Sequence, residues 1–176
     1  DILAVQEVEH IEILKEFNRN NLGGLYPHIA LIEGNDPRMI DVGLLSKRPL
    51  GAITSHQAAT HPDDPSRKVF GRDLVEVEIL DNAGDRLLTV WNTHMKSHFV
   101  PHDQDPVAGA AAANARRRRQ AEVTARIISA RQRAGSKFVL LGDMNDPEDS
   151  PHLAPMLTVD GQPPVSYTHL TLPTRC

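Results

Sequence analysis

The sequence has few of the residues that mark specialised classes of protein. A single cysteine, Cys176, excludes an intrachain disulfide and a multi-cysteine zinc site. Aromatic residues make up only 4% of the 176 residues, so we expect a mainly aliphatic core, and no apolar run reaches transmembrane length. The net charge of -4 argues against a broad basic surface for nucleic acid. These absences do not identify the cellular compartment.

Two common kinds of catalytic site are also missing. No Gly-x-Ser-x-Gly turn occurs, which argues against a serine hydrolase. The histidines outside the motifs discussed below have no zinc-ligand spacing: His10, His28, His56, His61, His102 and His152. Hydrophobic residues nevertheless form 40% of the chain, which is enough to build the core of one domain.

The most informative segment is residues 137–146, an apolar strand that runs into a glycine and then polar residues. Gly142 permits a sharp turn, after which Asp143 and Asn145 point to the same side if the chain is extended. A carboxylate and an amide at a strand end can hold a hard cation, orient a water or contact a phosphate oxygen. The alternative is an ordinary polar turn.

Three further segments repeat this arrangement. An apolar strand at Ile2–Val5 leads to Glu7, and a strand from Arg86 ends in Asn92 and His94. Asp41 lies on an otherwise apolar strand, where a buried carboxylate needs a partner. We therefore expect one shared site at one edge of a sheet.

The rest of the pattern predicts an α/β protein in which mixed sheets form a sandwich. The predicted elements are a helix from Ile11 to the Gly23-Gly24 stop, strands at 28–32, 40–45 and 52–55, a loop at 56–68, a half-exposed strand within 69–80, a hairpin turn at 81–85, a loop at 96–109, a helix at 114–133 and a short helix at 151–157.

Four of these motifs together resemble the endonuclease/exonuclease/phosphatase superfamily, which includes DNase I-like nucleases, abasic-site endonucleases, neutral sphingomyelinases and inositol-polyphosphate 5-phosphatases. They are Gln6-Glu7, the run Asp41–Ser46, Asn92-Thr93-His94 and the run Gly142–Asp146. The sequence around these motifs is similar to that of bacterial members of the superfamily. The resemblance implies a four-layer α/β sandwich, in which two packed mixed β-sheets are flanked by helices, here incomplete.

The resemblance also implies roles for individual residues. Glu7 would bind Mg²⁺, with Mn²⁺ as the alternative. Asp143 would accept a hydrogen bond from the attacking water, and Asn145 would donate to a phosphoryl oxygen. His94 would contact the scissile phosphate, and Asp41 would orient the His94 ring.

Basic and amide side chains nearby are candidates for phosphate binding. We expect Asn92, Lys96 and Arg116 to serve this purpose. Arg116 begins a run of four arginines that point in different directions on a helix, so the run cannot form one flat patch. One or two of them are expected to face the site, and the others to be solvated.

The sequence departs from the family pattern at both ends. It opens inside a strand, without the metal-site Asn that members carry on an earlier strand, and it lacks the Ser-Asp-His element whose His is central to catalysis. Residues 165–176 resemble a translated sequencing adapter. We expect residues 1–164 to be a partial domain, residues 165–176 to be a non-native tail, and the fragment itself to be inactive.

The expected activity is divalent-metal-dependent hydrolysis of a phosphodiester by a nuclease-like enzyme. Phospholipid or sphingomyelin phosphodiesterase and sugar-phosphate phosphatase are alternatives within the superfamily, and a non-catalytic binding domain is an alternative of another class. The low aromatic content argues against a membrane-active member. The expected partner is a phosphodiester substrate, with nucleic acid as one candidate, and the expected state is a monomer without an obligate protein partner.

Overall fold

A computed structural model describes residues 1–132 and 135–157. The expected domain boundary at residue 164 and the proposed tail at 165–176 lie outside the described residues. The elements in chain order are β1 (Ile2–Val8), α1 (Ile11–Asn21), β2 (His28–Ile32), β3 (Asp41–Ser46), β4 (Leu50–Ser55), β5 (Thr60–His61), β6 (Asp64–Lys68), β7 (Leu74–Leu80), β8 (Arg86–His94), α2 (Pro106–Arg131), β9 (Phe138–Asp143) and a 3-10 turn (Ala154–Met156).

Two sheets pack face to face and enclose the main core. One is antiparallel with strand order β1-β3-β2, and the other has the order β4-β7-β8-β9, with only β8 and β9 parallel. The side chains between the sheets are aliphatic, as the composition predicts: Val42, Leu44, Val75, Val77, Ile79 and Val90. β3 is buried along its whole length because it is the central strand of its sheet and lies beneath both a helix and the second sheet.

A helix covers the outer face of each sheet. On one side Leu14 of α1 lies over Gly43, where a Cβ would approach the leucine Cδ2 to 2.9 Å. On the other side α2 packs Val123 and Ile128 against Trp91 and its neighbours. The layers are therefore helix, sheet, sheet and helix, which confirms the predicted four-layer α/β sandwich. Neither helix in the described part of the chain is long and apolar enough to span a bilayer.

The strand predicted within 69–80 is present as β7, but its predicted half exposure is wrong. Most residues of β7 are buried on both faces. Glu76 looked solvent-facing in the alternating pattern, but it lies under α2, where it accepts from Arg131 and lies 3.2 Å from His56 Nε2. Ion pairing and hydrogen bonding allow a carboxylate at a buried position.

Two segments predicted as loops contain regular structure. Residues 56–68 include the short antiparallel hairpin of β5 and β6. α2 begins at Pro106 rather than Asn114, because Asp105 caps it by accepting from the Ala108 N–H at 2.7 Å and Pro106 suits the first turn. The helix expected at 151–157 is only a 3-10 turn at Ala154–Met156.

The parallel pairing of β8 with β9 requires a glycine at its end. Gly142 has φ of +133°, and a Cβ there would lie 1.8 Å from the carbonyl oxygen of Thr93. The pairing continues one residue further, where Asp143 is opposite His94. Gly142 therefore allows β9 to reach the position that aligns these two polar residues.

Gly142→Ala should lower the free energy of unfolding by about 3 kcal/mol or more, because it combines backbone strain with a steric clash. Gly84→Ala is the control, since Gly84 also has positive φ but no atom within 4 Å of its Cβ position. That change should cost about 1–2 kcal/mol. Urea unfolding measures both, and equal losses would show that the contact with Thr93 does not matter.

Candidate active site

His94 and Asp143 lie side by side at the edge of the larger sheet where β8 and β9 end, and Glu7 lies near the end of β1 in the other sheet, so the predicted site draws on both sheets and not on one. His94 Nε2 lies 3.8 Å from Asp143 Oδ2. Both Asp143 and Glu7 are near enough to act electrostatically on the His94 ring. Asp143 is open to solvent, whereas His94 is buried. The edge therefore combines an accessible carboxylate with a shielded imidazole.

Glu7 occupies an irregularity in β1 and not a regular strand position. The register of β1 shifts between Val5 and Val8, and Glu7 has φ of +58°, which is strained for a glutamate. Its carboxylate is exposed and has no hydrogen bond or ion pair within the described residues. Backbone strain and a free carboxylate at one position are typical of functional sites.

The donor set at this edge fits a magnesium ion only in part. Mg²⁺ is usually held by one or two carboxylates together with waters and substrate phosphate. Glu7 provides one such carboxylate. Across residues 1–132 and 135–157 no group of three or more His, Cys, Asp or Glu residues could hold a metal by itself. Glu7 therefore fits as one hard ligand that needs waters or substrate to complete the coordination.

Asn145 is held beside Asp143 by a tight turn. Its backbone N–H donates to Asp143 Oδ1 at 2.8 Å, and its side-chain amide donates to the carbonyl of Met95 at 3.2 Å. Its φ of +52° is one that asparagine tolerates better than most residues. One amide hydrogen of Asn145 and one oxygen of Asp143 thus remain available for other partners.

Arg72 contacts His94 directly and was not identified from the sequence. Its Nη2 lies 3.1 Å from His94 Nε2. A guanidinium has only donors, so Nε2 of a neutral His94 accepts and the ring proton lies on Nδ1. Burial chiefly, and then the Arg72 charge, lower the pKa of His94, while Asp143 and Glu7 oppose the change. The sequence feature that could have identified Arg72 is the charged pair Arg72-Asp73, which directly precedes a buried strand.

Asp41 does not make the hydrogen bond expected with His94. Its Oδ1 accepts from the Gly34 N–H at 2.7 Å, and burial raises the pKa of its carboxyl group. His94 Nδ1 is buried and has no hydrogen-bond partner within the described residues. The orienting role of Asp41 therefore stays a prediction without a supporting contact.

Asn92 connects the two sheets. Its side-chain amide donates to the carbonyls of Gly43 at 2.9 Å and Val5 at 3.3 Å, and its oxygen accepts from Gln6 at 3.0 Å. Both amide hydrogens are occupied and the residue is buried. This arrangement gives Asn92 a structural role and leaves it no donor for the predicted phosphate contact.

Lys96 stabilises the loop that follows β8. Its ammonium donates to the carbonyls of Ser97 and Phe99, both at 2.8 Å. Burial chiefly lowers the pKa of Lys96, and neighbouring arginines, beginning with Arg116, add to the effect. Two of its three donors are occupied, so a predicted phosphate contact has one donor left.

Arg117 is the buried member of the arginine run. It is fully shielded from solvent. It donates to Asp146 Oδ2 at 3.2 Å, to the Lys96 carbonyl at 2.9 Å and to Asn114, and it contacts His98 Nδ1 at 3.1 Å. Arg117 thus joins α2 to the loops that follow β8 and β9.

The other three arginines lie at the surface in different surroundings. Arg118 pairs with Glu122 along the helix at 3.0 Å. Arg119 lies 3.7 Å from Asp64 of β6. Arg116 is open to solvent but recessed among protein atoms, and it has no hydrogen bond or ion pair within the described residues. Two of the three, Arg116 and Arg119, face the same cleft.

That cleft adjoins the polar edge and has a volume of about 820 Å³. We call it the basic cleft, because seven basic residues and only two acidic ones line it. The basic residues are Arg38, Arg67, Lys68, Arg72, Lys96, Arg116 and Arg119, and the acidic ones are Asp36 and Asp64. Arg72 belongs to both the cleft and the edge, so the two are continuous.

Arg117→Met should lower the free energy of unfolding by about 3 kcal/mol or more, because it leaves the shielded Asp146 carboxylate without its cation. Arg118→Met is the matched control and should change stability by less than about 1 kcal/mol, since its pair is exposed. Thermal or urea unfolding measures both. Similar effects for the two variants would show that burial of Arg117 is unimportant.

In the metal-free protein His94 should titrate below its ordinary pKa of about 6.5. The unfolded chain then binds the proton more readily, so this group removes stability as the pH falls below about 6.5. NMR of the ring carbons measures the pKa, and His94→Gln assigns the signal. Arg72→Gln should raise the pKa of His94. A value at or above 6.5 in the parent would contradict the burial argument.

Comparison with solved structures shows what the fold is similar to. The human Nocturnin catalytic domain matches with a TM-score of 0.62 and 14% identity, over 92% of this chain and 57% of that one. Sphingomyelinase C from Streptomyces griseocarneus matches with a TM-score of 0.59 and 21% identity, over 92% and 56%. A beta toxin mutant from Staphylococcus aureus with bound magnesium ions matches with a TM-score of 0.60 and 18% identity, over 89% and 56%.

The chain therefore spans a little over half the length of these structures. A comparison with curated protein sequences finds no match. The sequence model of the Endonuclease/Exonuclease/phosphatase family matches residues 1–175, almost the whole chain. The four-layer fold is similar to the folds of the solved structures above. This chain belongs to the endonuclease/exonuclease/phosphatase family.

Proposed function

We propose that the protein is a divalent-metal-dependent phosphodiesterase that acts in a nuclease-like manner. The observation that carries the proposal is the pairing of His94 with Asp143 directly beside the basic cleft, with Glu7 of the facing sheet near enough to act electrostatically on the His94 ring. A carboxylate for metal, a carboxylate for water and cations for phosphate are the components that phosphodiester hydrolysis needs.

Asp143 and Asn145 would act on the two sides of the reacting phosphorus. Asp143 Oδ1 is occupied by the Asn145 N–H, so Oδ2 would accept a hydrogen bond from the attacking water. The free amide hydrogen of Asn145 would donate to a phosphoryl oxygen as negative charge develops. An amide adds no negative charge beside the phosphate, which suits this position.

Arg72 and His94 would stabilise charge on the phosphoryl group. Arg72 stays cationic at any physiological pH, and its contact with His94 holds both side chains at the edge. Glu7 would hold Mg²⁺, or Mn²⁺ in its place, which when bound would neutralise charge on the phosphoryl oxygens. The free carboxylate of Glu7 supports this assignment.

Hydrolysis of a phospholipid or sphingomyelin is the second candidate, and the exposed ring of Phe99 beside the basic cleft favours it. The solved Streptomyces enzyme is named a sphingomyelinase. A sugar-phosphate phosphatase of the same superfamily remains a further alternative. A non-catalytic domain is disfavoured because Glu7, Asp143, Asn145 and His94 are all present. Parallel assays with plasmid DNA and sphingomyelin vesicles distinguish the first two.

In the full-length protein, hydrolysis of a bis-aryl phosphodiester should require Mg²⁺ or Mn²⁺ and stop when a chelator is added. Asp143→Ala should lower kcat about 100-fold or more, because the water loses its acceptor. Asp149→Ala removes an exposed carboxylate from the following loop and should leave kcat unchanged. Both variants should unfold at the parental temperature. Parental turnover in Asp143→Ala would exclude Asp143 as the group that activates water.

A further inference from the structure

The basic cleft extends well beyond the residues that would touch a reacting phosphate. Three elements form its walls: the β5–β6 hairpin with Arg67, helix α2 with Arg116 and Arg119, and the loop after β8 with Phe99. Its volume of about 820 Å³ lies within the range of small-molecule sites, about 300–1,000 Å³. Space and charge are thus available for more of a ligand than one phosphate.

Most of the cations in the basic cleft already have a partner within the protein, so the cations without one are those available to bind a ligand. Arg38 donates to both oxygens of Asp36, and this contact chiefly holds the pKa of Asp36 at about 2. Lys68 donates to Asn35 at 2.8 Å. The side chains of Arg67 and Arg116, in contrast, have no hydrogen bond or ion pair within the described residues.

The two free arginines also repel each other. Desolvation chiefly, and then the Arg67 charge, lower the pKa of Arg116, while Asp36 opposes the change. Arg119 is near Asp64 at 3.7 Å, which is too long for a hydrogen bond. Asp36 and Asp64 leave the cleft with an excess of positive charge, and the remaining repulsion between the arginines is relieved when an anion binds between them. Arg67 and Arg116, together with Arg119 at 3.7 Å from Asp64, therefore form a site that a further anion can complete.

An exposed aromatic ring lies beside these charges. Phe99 is 63% exposed and lines the basic cleft. Its backbone is anchored by the Lys96 ammonium, and the next residue, Val100, fits against α2 only because position 109 is glycine, where a Cβ would lie 2.2 Å from Val100 Cγ1. An anchored, exposed ring beside cations is the combination that binds single-stranded nucleic acid, since bases stack on the ring and phosphates contact the cations.

We propose that the basic cleft binds the non-reacting part of a single-stranded nucleic acid. Arg67, Arg116 and Arg119 contact successive phosphates, and a base stacks on Phe99. Arg72 connects the basic cleft with the His94 edge, so the strand leads toward the reacting phosphate. The proposal rests on the proposed phosphodiesterase function and adds its substrate class. A zwitterionic phosphocholine headgroup has one phosphate and would leave most of these three arginines without an anion.

The test measures binding apart from hydrolysis. A fluorescein-labelled single-stranded DNA of about ten nucleotides is titrated with protein in the presence of a chelator, and anisotropy is followed at several salt concentrations. With three phosphate contacts, the slope of log K against log salt should be about -2. Arg67→Gln and Arg116→Gln should each weaken binding about tenfold at low salt and reduce the slope by about 0.7.

Matched controls separate the site from general electrostatics and general hydrophobicity. Arg118→Gln removes the same charge from the same helix outside the basic cleft and should bind like the parent. Phe99→Ala should weaken binding about fivefold or more without changing the salt slope, whereas Phe17→Ala, an exposed ring on α1, should have no effect. All of these side chains are exposed, so the variants should fold.

Three results would overturn the proposal. The first is equal weakening of oligonucleotide binding by Arg118→Gln and Arg116→Gln, and the second is no effect of Phe99→Ala on that binding. The third is binding to phosphatidylserine vesicles without binding to the oligonucleotide, a result that would assign the basic cleft to a membrane surface. Both binding and bis-aryl phosphodiester hydrolysis are measured with the full-length protein, because the fragment itself is expected to be inactive. Retained hydrolysis without oligonucleotide binding would reject this inference alone, and binding without any metal-dependent hydrolysis would reject the proposed function alone.

Discussion

The parallel pairing of β9 with β8 is the contact on which the rest of the candidate site depends. Parallel neighbours cannot be joined by a tight turn, so the chain must leave the sheet and return. Here α2, from Pro106 to Arg131, is that crossover. Because the strands then run in the same direction, the polar residues that follow both of them lie at one edge. Gly142 is what lets the pairing extend far enough to set Asp143 opposite His94.

The position of α2 also explains the charges around the site. A helix that crosses over the sheet presents one flank to the loops after β8 and β9, where Arg117 is buried against Asp146 and the Lys96 carbonyl. The adjoining flank carries Arg116 and Arg119 into the basic cleft. A buried ion pair is poor evidence for added stability, but it specifies one arrangement of loops, since a misplaced charge would be left unpaired. The same run of residues thus orders the site and lines its approach.

Net charge is a poor guide to this surface. A chain with a net charge of -4 would not be chosen as a nucleic-acid binder. The structure nevertheless gathers seven basic residues and two acidic ones around one cleft, drawing them from the β5–β6 hairpin, α2, the loop after β8 and the segments before β3 and β7. Folding separates the charges into regions, and the field that a ligand meets depends on the regional balance. The basic cleft is therefore compatible with an acidic chain.

Local pattern by itself determined most of the longer helices and strands, the aliphatic core and the family. The motifs around Glu7, His94, Asp143 and Asn145 identify the family, because each motif is a short contiguous segment at the end of a strand and can be recognised without the tertiary structure. Tertiary structure alone decided the partners. Asn92 became a connection between sheets and Arg72 became the neighbour of His94, because both contacts join residues far apart in the chain. The burial of β7 likewise depends on the helix that packs over it, and the four consecutive arginines differ in burial because each meets different neighbours. A local sequence pattern contains no information about these neighbours.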